Sequence, residues 1–328
     1  MSRDASNYIA PTIAPVCDML PRQRWSVMIP TFNCAKYLRH TLRSVLDQAP
    51  GPDQMQIEVI DDCSTRDDPY AVVRELASGR IQFYRKEQNG GATTNFNTCI
   101  QRSRGELVHI LHGDDTVSPG FFKSVERAAD KHPEIAGFFA RTFDIDEEGN
   151  LQALSARLPW LESGGSDSGE LLYQNSIRTP GCVVRRKFYE VHGGFLPGFP
   201  HVADWEMWVR VIANGGGLAI NEPLANYRDF AANDTGRLAR LGANVRDGFE
   251  LALRFKETIP TFDFERARRQ LAAQAREQMK RFRERNDSEA ADANEAVYRE
   301  IRGAGGSIVN RLMLASRRAA YAFLDGMR

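Results

Sequence analysis

Cysteine is scarce in this sequence, and its positions exclude two common frameworks. Five cysteines occur in 328 residues, and no two of them form a C-x-x-C pair. Structural zinc sites and disulfide scaffolds need closely spaced or numerous cysteines. We therefore expect neither a zinc site nor a disulfide framework, and this cysteine use is typical of a reducing compartment.

Long apolar runs are also missing. No stretch reaches the roughly 18 apolar residues that a transmembrane helix needs. The N-terminal sequence MSRDASNYIAPTIAP lacks the apolar centre of a signal peptide. We expect a cytoplasmic protein, and we leave open whether it works at the inner face of the membrane.

Neither sign of charge is in excess. Lys and Arg total 43, and so do Asp and Glu. A protein that wraps nucleic acid normally has a basic surplus, so we expect no nucleic-acid partner. Apolar residues make up 42% and charged residues 26%, which is typical of a globular protein. The length predicts two domains, or one large domain with an appendage.

The pattern after a loose N-terminal arm (1–24) predicts an α/β layer. Short apolar, β-branched or aromatic runs have the length of buried strands, and helical patterns separate them. Such alternation predicts a Rossmann-like, mostly parallel sheet flanked by helices, in which ligands bind beyond the carboxyl ends of the strands. The predicted strands are 25–29, 56–61, 81–85 and 106–112, and the predicted helices are 35–48, 68–77 and 91–103.

Two further regions follow. Residues 136–236 mix short apolar runs with Gly-rich turns and include a predicted helix at 204–213. Residues 237–328 form a helical C-terminal extension with 19 Lys and Arg against 13 Asp and Glu. The extension has two interpretations, as a packing or homodimerisation element or as a basic amphipathic surface on anionic lipid. In the second, apolar residues face inward and arginines face the headgroups (Leu312, Leu314, Tyr321, Phe323, Leu324; Arg311, Arg317, Arg318).

Asp61 and Asp62 end the predicted strand QIEVID. Two adjacent carboxylates at a strand end should not both be buried without partners, because unpaired buried charge is costly. One interpretation is that Asp61 caps the next turn while Asp62 is solvated. The other is that one of the pair accepts a hydrogen bond from a nucleobase N–H.

His112-Gly113-Asp114-Asp115 follows the predicted strand ELVHIL. Glycine leaves room for a ligand, and paired aspartates offer the hard oxygen ligands that Mg²⁺ and Mn²⁺ prefer. Asp-Asp is also common in helix caps and turns, so both interpretations stay open.

Asp204 and Glu206 open the predicted helix at 204–213. Positions two apart on a helix point in different directions. If one carboxylate faces a pocket, the other should face solvent or an ion pair with Arg210.

Six segments in this order, within residues 25–236, resemble the motifs of the family 2 glycosyltransferases, which have the GT-A fold. They are SVMIPTFN, VIDDCST, NGGATTNFN, HGDDTVSP, GGF at 193–195, and ADWEMWVRV followed by EPLANYR. The resemblance implies a GT-A domain at 25–236, with a nucleotide-sugar-binding half (25–135) and an acceptor half (136–236), followed by the extension at 237–328.

The resemblance also implies roles for individual residues. Asp204 would be the general base, and Asp114 and Asp115 would hold Mn²⁺ or Mg²⁺. The residues implied in nucleotide-sugar binding are Pro30, Thr31, Phe32, Asn33, Asp62, Asn89, Gly91, Asp114, Asp115 and Arg228.

Three positions depart from the family pattern. His112 stands where the metal motif often begins with Asp, which leaves open whether His112 or a loop residue completes the metal site. Cys63 replaces the Gly usual after the Asp pair. The nearby His that often follows Y-R is absent, since Asp229 and Phe230 follow Arg228. Among other histidines, His109 is expected in the core, and for His201 an acceptor contact is the minor alternative.

The resemblance implies a metal-dependent, inverting glycosyltransferase of bacterial polysaccharide biosynthesis. Its donor would be a nucleotide sugar, with UDP expected and dTDP or GDP left open. Its acceptor would be a saccharide or a lipid-linked saccharide. The alternative is a catalytically inactive, GT-A-like scaffold or glycan-binding protein, against which the presence of both Asp115 and Asp204 argues.

Overall fold

A computed structural model describes residues 9–16, 22–76, 79–199, 201–230 and 234–303. The chain divides into two compact units, one ending at Asp229 and the other beginning at Phe230. The division of the first unit into donor and acceptor halves stays a prediction.

The described part of the first unit contains nine strands and six α-helices. The four strands predicted from residues 25 to 112 are confirmed, as are the helices between them and the helix at 204–213. The strands are β1 (Trp25–Thr31), β2 (Met55–Asp61), β3 (Gln82–Arg85), β4 (Leu107–Ile110), β5 (Thr116–Val117), β6 (Gly137–Ile145), β7 (Leu151–Leu154), β8 (Cys182–Arg185) and β9 (Gly217–Arg228). The helices are α1 (Ala35–Leu46), α2 (Pro69–Leu76), α3 (Ala92–Arg102), α4 (Phe121–Lys131), α5 (Arg186–His192) and α6 (Ala203–Gly215).

These strands form one mixed sheet in the order β3-β2-β1-β4-β8-β6-β9-β5, with β7 paired to β6. Strands β1 to β4 pair in parallel, as predicted. Every residue of β1 and β2 is buried, which explains their nearly continuous apolar sequences. Because β1, β2 and β4 are parallel, their carboxyl ends lie at one edge of the sheet.

In the second half of the sheet, β8 runs opposite to β1–β4, whereas β6 and β9 run in the same direction as those strands. Strand β8 is antiparallel to β4 and β6, and β6 is parallel to β9. The start of β8 therefore lies beside the end of β4. A short 3₁₀ helix (Thr179–Gly181) precedes β8, so this helix reaches the same edge as the carboxyl ends of β1, β2 and β4.

Helix α6 is buried on most of its surface. Trp205 and Trp208 are buried, as are Val209, Val211 and Ile212. The Glu206 carboxylate forms a two-point ion pair with the guanidinium of Arg210, at 2.9 Å for each contact. The prediction that one of these two carboxylates faces solvent or an ion pair with Arg210 is thus confirmed for Glu206.

The described part of the second unit is helical: α7 (Asp234–Arg240), α8 (Ala243–Thr258), α9 (Phe264–Glu284) and α10 (Ser288–Gly303). The Asp263 side chain caps α9 by accepting a hydrogen bond from the Arg266 amide at 2.9 Å. Helix α9 buries small apolar residues, Ala267, Leu271, Ala272 and Ala275, against its neighbours. The last predicted helix, with the apolar residues and arginines assigned to a lipid surface, lies outside the described residues. In the described ranges, no helix has the length and apolar character required to cross a bilayer.

Candidate active site

The turns after β1 and β2 are joined by hydrogen bonds of Asn33. Its side-chain oxygen accepts from the amides of Thr65 and Arg66, at 2.9 Å each, and its own amide donates to the Ser64 hydroxyl at 2.8 Å. Asn33 has a φ of 51°, a left-handed conformation that Asn tolerates better than most residues. Beside it, Phe32 is 37% exposed.

The end of β1 supports the loop after β4. The Pro30 carbonyl accepts a hydrogen bond from the Gly113 amide at 3.0 Å. A side chain at Gly113 would meet the Cys34 sulfur at 2.8 Å and the Thr31 hydroxyl at 3.1 Å. A side chain at position 113 would therefore crowd its neighbours, which favours glycine there. Pro30 and Thr31 pack against the candidate metal-binding loop.

Asp61 caps the turn that follows β2. Its carboxylate accepts from the amide of Ser64 at 3.2 Å and from the Nε of Arg85 at 2.6 Å. The capping interpretation of Asp61 is therefore confirmed. Cys63, two residues after Asp61, has a φ of 64°. Glycine adopts this conformation more easily than other residues, which explains why it is usual at this position of the motif.

Asp62 contacts two other residues that were predicted to bind the nucleotide sugar. Its buried carboxylate accepts from the Lys86 ammonium at 2.5 Å and from the amides of Gly90 and Gly91, at 3.0 and 2.8 Å. The Asn89 side-chain amide donates to the Asp62 carbonyl at 3.1 Å. The expectation that Asp62 is solvated is wrong, because its charge is neutralised inside the protein. Its contact with a nucleobase stays a prediction.

Lys86 is a residue that sequence reasoning missed. It directly follows β3, whose carboxyl end lies at the same edge as that of β2. The parallel pairing of β2 and β3 was the available signal, since it places the first residue after β3 beside the residue after β2.

His112, Asp114 and Asp115 form a compact group of candidate metal ligands. One ligand atom from each residue can be chosen so that all three lie within 4.8 Å of one another. Burial and the neighbouring charge of Asp115 raise the pKa of Asp114 to about 7. The side-chain hydroxyl of Thr41, on α1, fixes this loop by donating to the carbonyls of Gly113 and Asp115 at 3.0 and 2.7 Å.

Asp115 is 1% exposed, and its two carboxylate oxygens differ. Oδ1 accepts from the Arg228 amide at 2.8 Å, whereas Oδ2 has no hydrogen-bond partner in the described part of the chain. Nδ1 of His112 is 3.4 Å from Oδ2, a long contact. A buried carboxylate oxygen without a partner is costly, and a divalent cation would satisfy it. The donor set therefore fits Mg²⁺ or Mn²⁺.

Arg228 supports the metal-binding loop from the end of β9. Besides its amide contact to Asp115, its Nε donates to the Asp114 carbonyl at 2.9 Å. Its Nη1 donates to the carbonyls of residues 146 and 147, and the guanidinium lies 5.0 Å from the centre of the Tyr37 ring. These contacts give Arg228 a positioning role, and its predicted contact with phosphate stays a prediction.

Asp204 lies in the first turn of α6 and is held by three donors. The Trp205 amide contacts Oδ1 at 2.7 Å, and the side chains of Asn175 and Thr179 contact Oδ2 at 3.3 and 3.5 Å. Burial raises the pKa of Asp204, and the nearby His201 and His112 oppose that shift. A carboxylate with a raised pKa is a stronger base than a solvated one, which suits proton abstraction.

The metal-binding loop and Asp204 face one site although they are distant in sequence. The carboxylates of Asp115, Asp114 and Asp204 raise the pKa of His112, against the opposing effect of burial. Thr179, which contacts Asp204, directly precedes β8 at the edge where β4 ends, so Asp204 lies at the same edge of the sheet as the loop after β4. Asn175 and Thr179, which orient Asp204, were also missed by sequence reasoning. They carry no motif, and their position depends on β8 running antiparallel to β4.

His109 is a core residue, as predicted. Its Nε2 lies 2.9 Å from the Pro180 carbonyl, and its ring stacks on Phe121 with 4.6 Å between centroids. Burial lowers its pKa to about 4. His109 is therefore a neutral, structural histidine.

Comparison with known proteins identifies a family and a fold. A family model described as "Glycosyl transferase family 2" matches residues 26–193, just over half of the chain. The uncharacterized protein MT1568 of Mycobacterium tuberculosis is 27% identical over 233 residues, covering 68% of this chain and 72% of that protein. The O-antigen biosynthesis protein RfbC of Myxococcus xanthus is 26% identical over 227 residues, covering 68% of this chain. The chain spans 17% of the length of RfbC.

Two solved structures share the fold. A segment (1–349) of TarS from S. aureus, in complex with UDP-GlcNAc, has a TM-score of 0.54 and 16% identity, covering 85% of this chain and 92% of that chain. The mannosyltransferase PcManGT from Pyrobaculum calidifontis, in complex with GDP-Man and Mn²⁺, has a TM-score of 0.52 and 18% identity, covering 94% and 83%. At these identities the likeness establishes the fold alone, and it confirms the predicted GT-A architecture.

Proposed function

The chain belongs to glycosyl transferase family 2, and from that premise we propose that it is a metal-dependent, inverting glycosyltransferase of bacterial polysaccharide biosynthesis. The observation that carries the proposal is that two carboxylates with different properties lie at the same edge of the sheet. The unpartnered oxygen of Asp115 suits a cation, and Asp204, with its raised pKa, suits a base. An inactive scaffold would need neither arrangement.

We propose that the donor is a nucleotide sugar, with a UDP-sugar first. Two proteins of the same fold support a nucleotide-sugar donor, since TarS binds UDP-GlcNAc and PcManGT binds GDP-Man. In this chain the turns after β1 and β2, and the loop at Asn89–Gly91, would hold the nucleotide. The ordered hydrogen bonds of Asn33 and Asp62 keep these segments in place before any ligand arrives.

Asp114 and Asp115 would hold the divalent cation, whose presence in the Mn²⁺ complex of PcManGT supports metal dependence. When bound, such a cation offsets the negative charge that gathers on a nucleoside diphosphate leaving group. The chain's own contribution is to fix the two aspartates. The Arg228 amide orients the Asp115 carboxylate, and Thr41 holds the carbonyls of the loop.

Asp204 would take the proton from the acceptor hydroxyl as that oxygen attacks the anomeric carbon. Its Oδ1 is oriented by the Trp205 amide, and its Oδ2 receives only long contacts from Asn175 and Thr179. Oδ2 is therefore the oxygen better placed to exchange these contacts for an acceptor hydroxyl. A single displacement of this kind inverts the anomeric configuration.

The acceptor is proposed to be a saccharide or a lipid-linked saccharide. The support is the kind of relative that the chain matches, which includes RfbC, a protein of O-antigen biosynthesis, and the chondroitin synthase of Escherichia coli, 25% identical over 202 residues. The chain covers 28% of the length of chondroitin synthase, so the particular acceptor is not carried over from it.

The test measures thermal unfolding with UDP, GDP and dTDP, each with and without Mn²⁺. A ligand at 100 times its dissociation constant stabilises by about 2.7 kcal/mol, which should raise the melting temperature by a few degrees. We expect an Mn²⁺-dependent rise with UDP, absent in Asp115→Asn, a variant that keeps the acceptor for the Arg228 amide but removes the charge.

Glu134→Gln, which removes an exposed carboxylate, is the matched control and should keep the full response. A rise with GDP or dTDP instead would revise the nucleotide. No response to any nucleotide would contradict the proposed function and favour the scaffold.

A further inference from the structure

His112 differs from His109, which lies on the same stretch of chain and points into the core. His109 has its Nε2 bonded to a carbonyl, as expected of a structural histidine. The Nε2 of His112 is buried without a hydrogen-bond partner among the described residues. The side chain of His112 is 26% exposed. Each of the two histidines keeps one ring nitrogen without a partner among the described residues, so what distinguishes His112 is its place beside the carboxylates of Asp114 and Asp115.

The separation of His112 from Asp115 matches the spacing of two ligands on one cation. Nδ1 of His112 lies 3.4 Å from Oδ2 of Asp115, a long contact between the two side chains. A small octahedral cation with bonds of about 2.1 Å holds neighbouring ligand atoms about 3 Å apart. Asp115 is 1% exposed, and its unpartnered Oδ2 points toward this nitrogen. A movement of a few tenths of an ångström would let both atoms bind the same ion.

The imidazole is held in this orientation by an aromatic neighbour. The ring of Phe96, on α3, stacks on His112 with 5.1 Å between centroids and 7° between the planes. Phe96 in turn packs against Phe195 at 5.4 Å. A ligand ring whose plane is fixed by packing loses little freedom when it binds an ion.

We propose that His112 supplies a nitrogen ligand to the cation that the proposed function places at Asp114 and Asp115. This inference rests on the proposed function and adds to it the composition of the metal site. A site with one imidazole and two carboxylates favours Mn²⁺ and Co²⁺ over Mg²⁺ more strongly than a site of oxygens alone. We therefore expect the site to prefer such transition metals to Mg²⁺.

The direct test is electron spin echo envelope modulation of bound Mn²⁺, recorded with UDP and separately with GDP. A coordinated imidazole gives a ¹⁴N modulation that oxygen ligands do not give. We expect this modulation in the wild type, its loss in His112→Asp and His112→Ala, and its retention in His132→Ala. His132 is a suitable control because it follows α4 and is therefore distant from this loop in the sequence. Its Nδ1 lies 3.3 Å from the exposed carboxylate of Glu134.

A second readout compares metal affinities. In Mn²⁺ binding competed by Mg²⁺, His112→Asp should lose the preference for Mn²⁺ that the imidazole gives, because the variant offers an oxygen ligand in place of the nitrogen. His112→Asp should still bind Mg²⁺, which also shows that the variant is folded.

The possible failures are distinguishable. Bound Mn²⁺ without ¹⁴N modulation in the wild type would overturn the role of His112 and leave the proposed function standing. Modulation that survives in both His112 variants and disappears in His201→Ala would also overturn it. Absence of any bound Mn²⁺ with either nucleotide would instead overturn the metal dependence of the proposed function, and this inference with it.

Discussion

Two regions of the same sheet edge carry buried carboxylates and treat them differently. After β2, Asp61 and Asp62 accept hydrogen bonds from Arg85, Lys86 and backbone amides, so their charge is neutralised within the protein. After β4 and at the start of α6, Asp115 has an oxygen without a partner among the described residues, and Asp204 has only long contacts on Oδ2. In the first region, the carboxylates hold the turns in place. In the second, the carboxylate oxygens can still accept bonds from a ligand.

We therefore expect the carboxylates after β2 to matter mainly for stability, and Asp115 and Asp204 to matter mainly for activity. Satisfied buried charges can be removed only at a cost in folding, because the remaining partner is left buried alone. Unsatisfied ones already impose that cost, so removing them should affect activity far more than stability. The variants below test the contrast.

The largest effect is expected for Asp204→Asn. Loss of a general base should lower kcat by about 10²–10⁴-fold, with little change in the KM for the donor. The free energy of unfolding at pH 8 should not fall. Burial raises the pKa of Asp204, so its ionised form destabilises the native state once the pH exceeds that raised pKa.

The pH profile of kcat checks the same assignment. A base must be unprotonated, so wild-type kcat should fall as the pH falls through the raised pKa of Asp204. In the variant this acid limb should disappear. Retention of kcat within about 10-fold would remove Asp204 from the role of base, given the usual size of the effect.

The next effect concerns stability and compares Lys86→Met with Asp115→Asn. Lys86→Met leaves the Asp62 charge buried without its ammonium partner and should cost about 3 kcal/mol of unfolding free energy. Asp115→Asn removes an incompletely partnered charge and should cost nothing measurable. Denaturant unfolding with EDTA and without nucleotide gives both values. The contrast fails if the two variants lose equal stability.

The smallest effect is expected at Cys63. Its φ of 64° is strained for a residue with a side chain, so Cys63→Gly should be more stable than Cys63→Ala by about 1 kcal/mol. The alanine variant is the matched control because it removes the thiol and keeps the strain. Equal stability of the two variants in denaturant unfolding would show that the turn relaxes without cost.

Sequence patterns predicted the parallel half of the fold well. The strands β1, β2 and β4 are short apolar runs with polar residues directly after them, and parallel pairing brings those residues to one edge. That logic located Asp62, Asp114 and Asp115. It depends only on local patterns and on the geometry of parallel sheets, both of which a single sequence contains.

The half of the sheet beyond β4 was not predictable in the same way. The order β4-β8-β6-β9 depends on pairings between strands far apart in sequence. Asn175 and Thr179 reach Asp204 through that order and carry no local signal. Lys86 was missed for a different reason, since neither interpretation of Asp62, solvation or contact with a nucleobase, gave it a charged partner within the chain. The partners of a buried charge are a property of the fold rather than of the motif.

The two side chains that contact Oδ2 of Asp204, Asn175 and Thr179, come from the long segment between β7 and β8, whose helices are all short 3₁₀ helices. This segment pairs with the sheet through the bridge between Gly165 and Gly217, and exchanges elsewhere in it need not disturb the strand pairing. Exchanges around Asn175 and Thr179 can therefore change the surroundings of Asp204 without touching the loop of Asp114 and Asp115. The proposed base and the proposed metal site thus depend on parts of the fold that can vary separately.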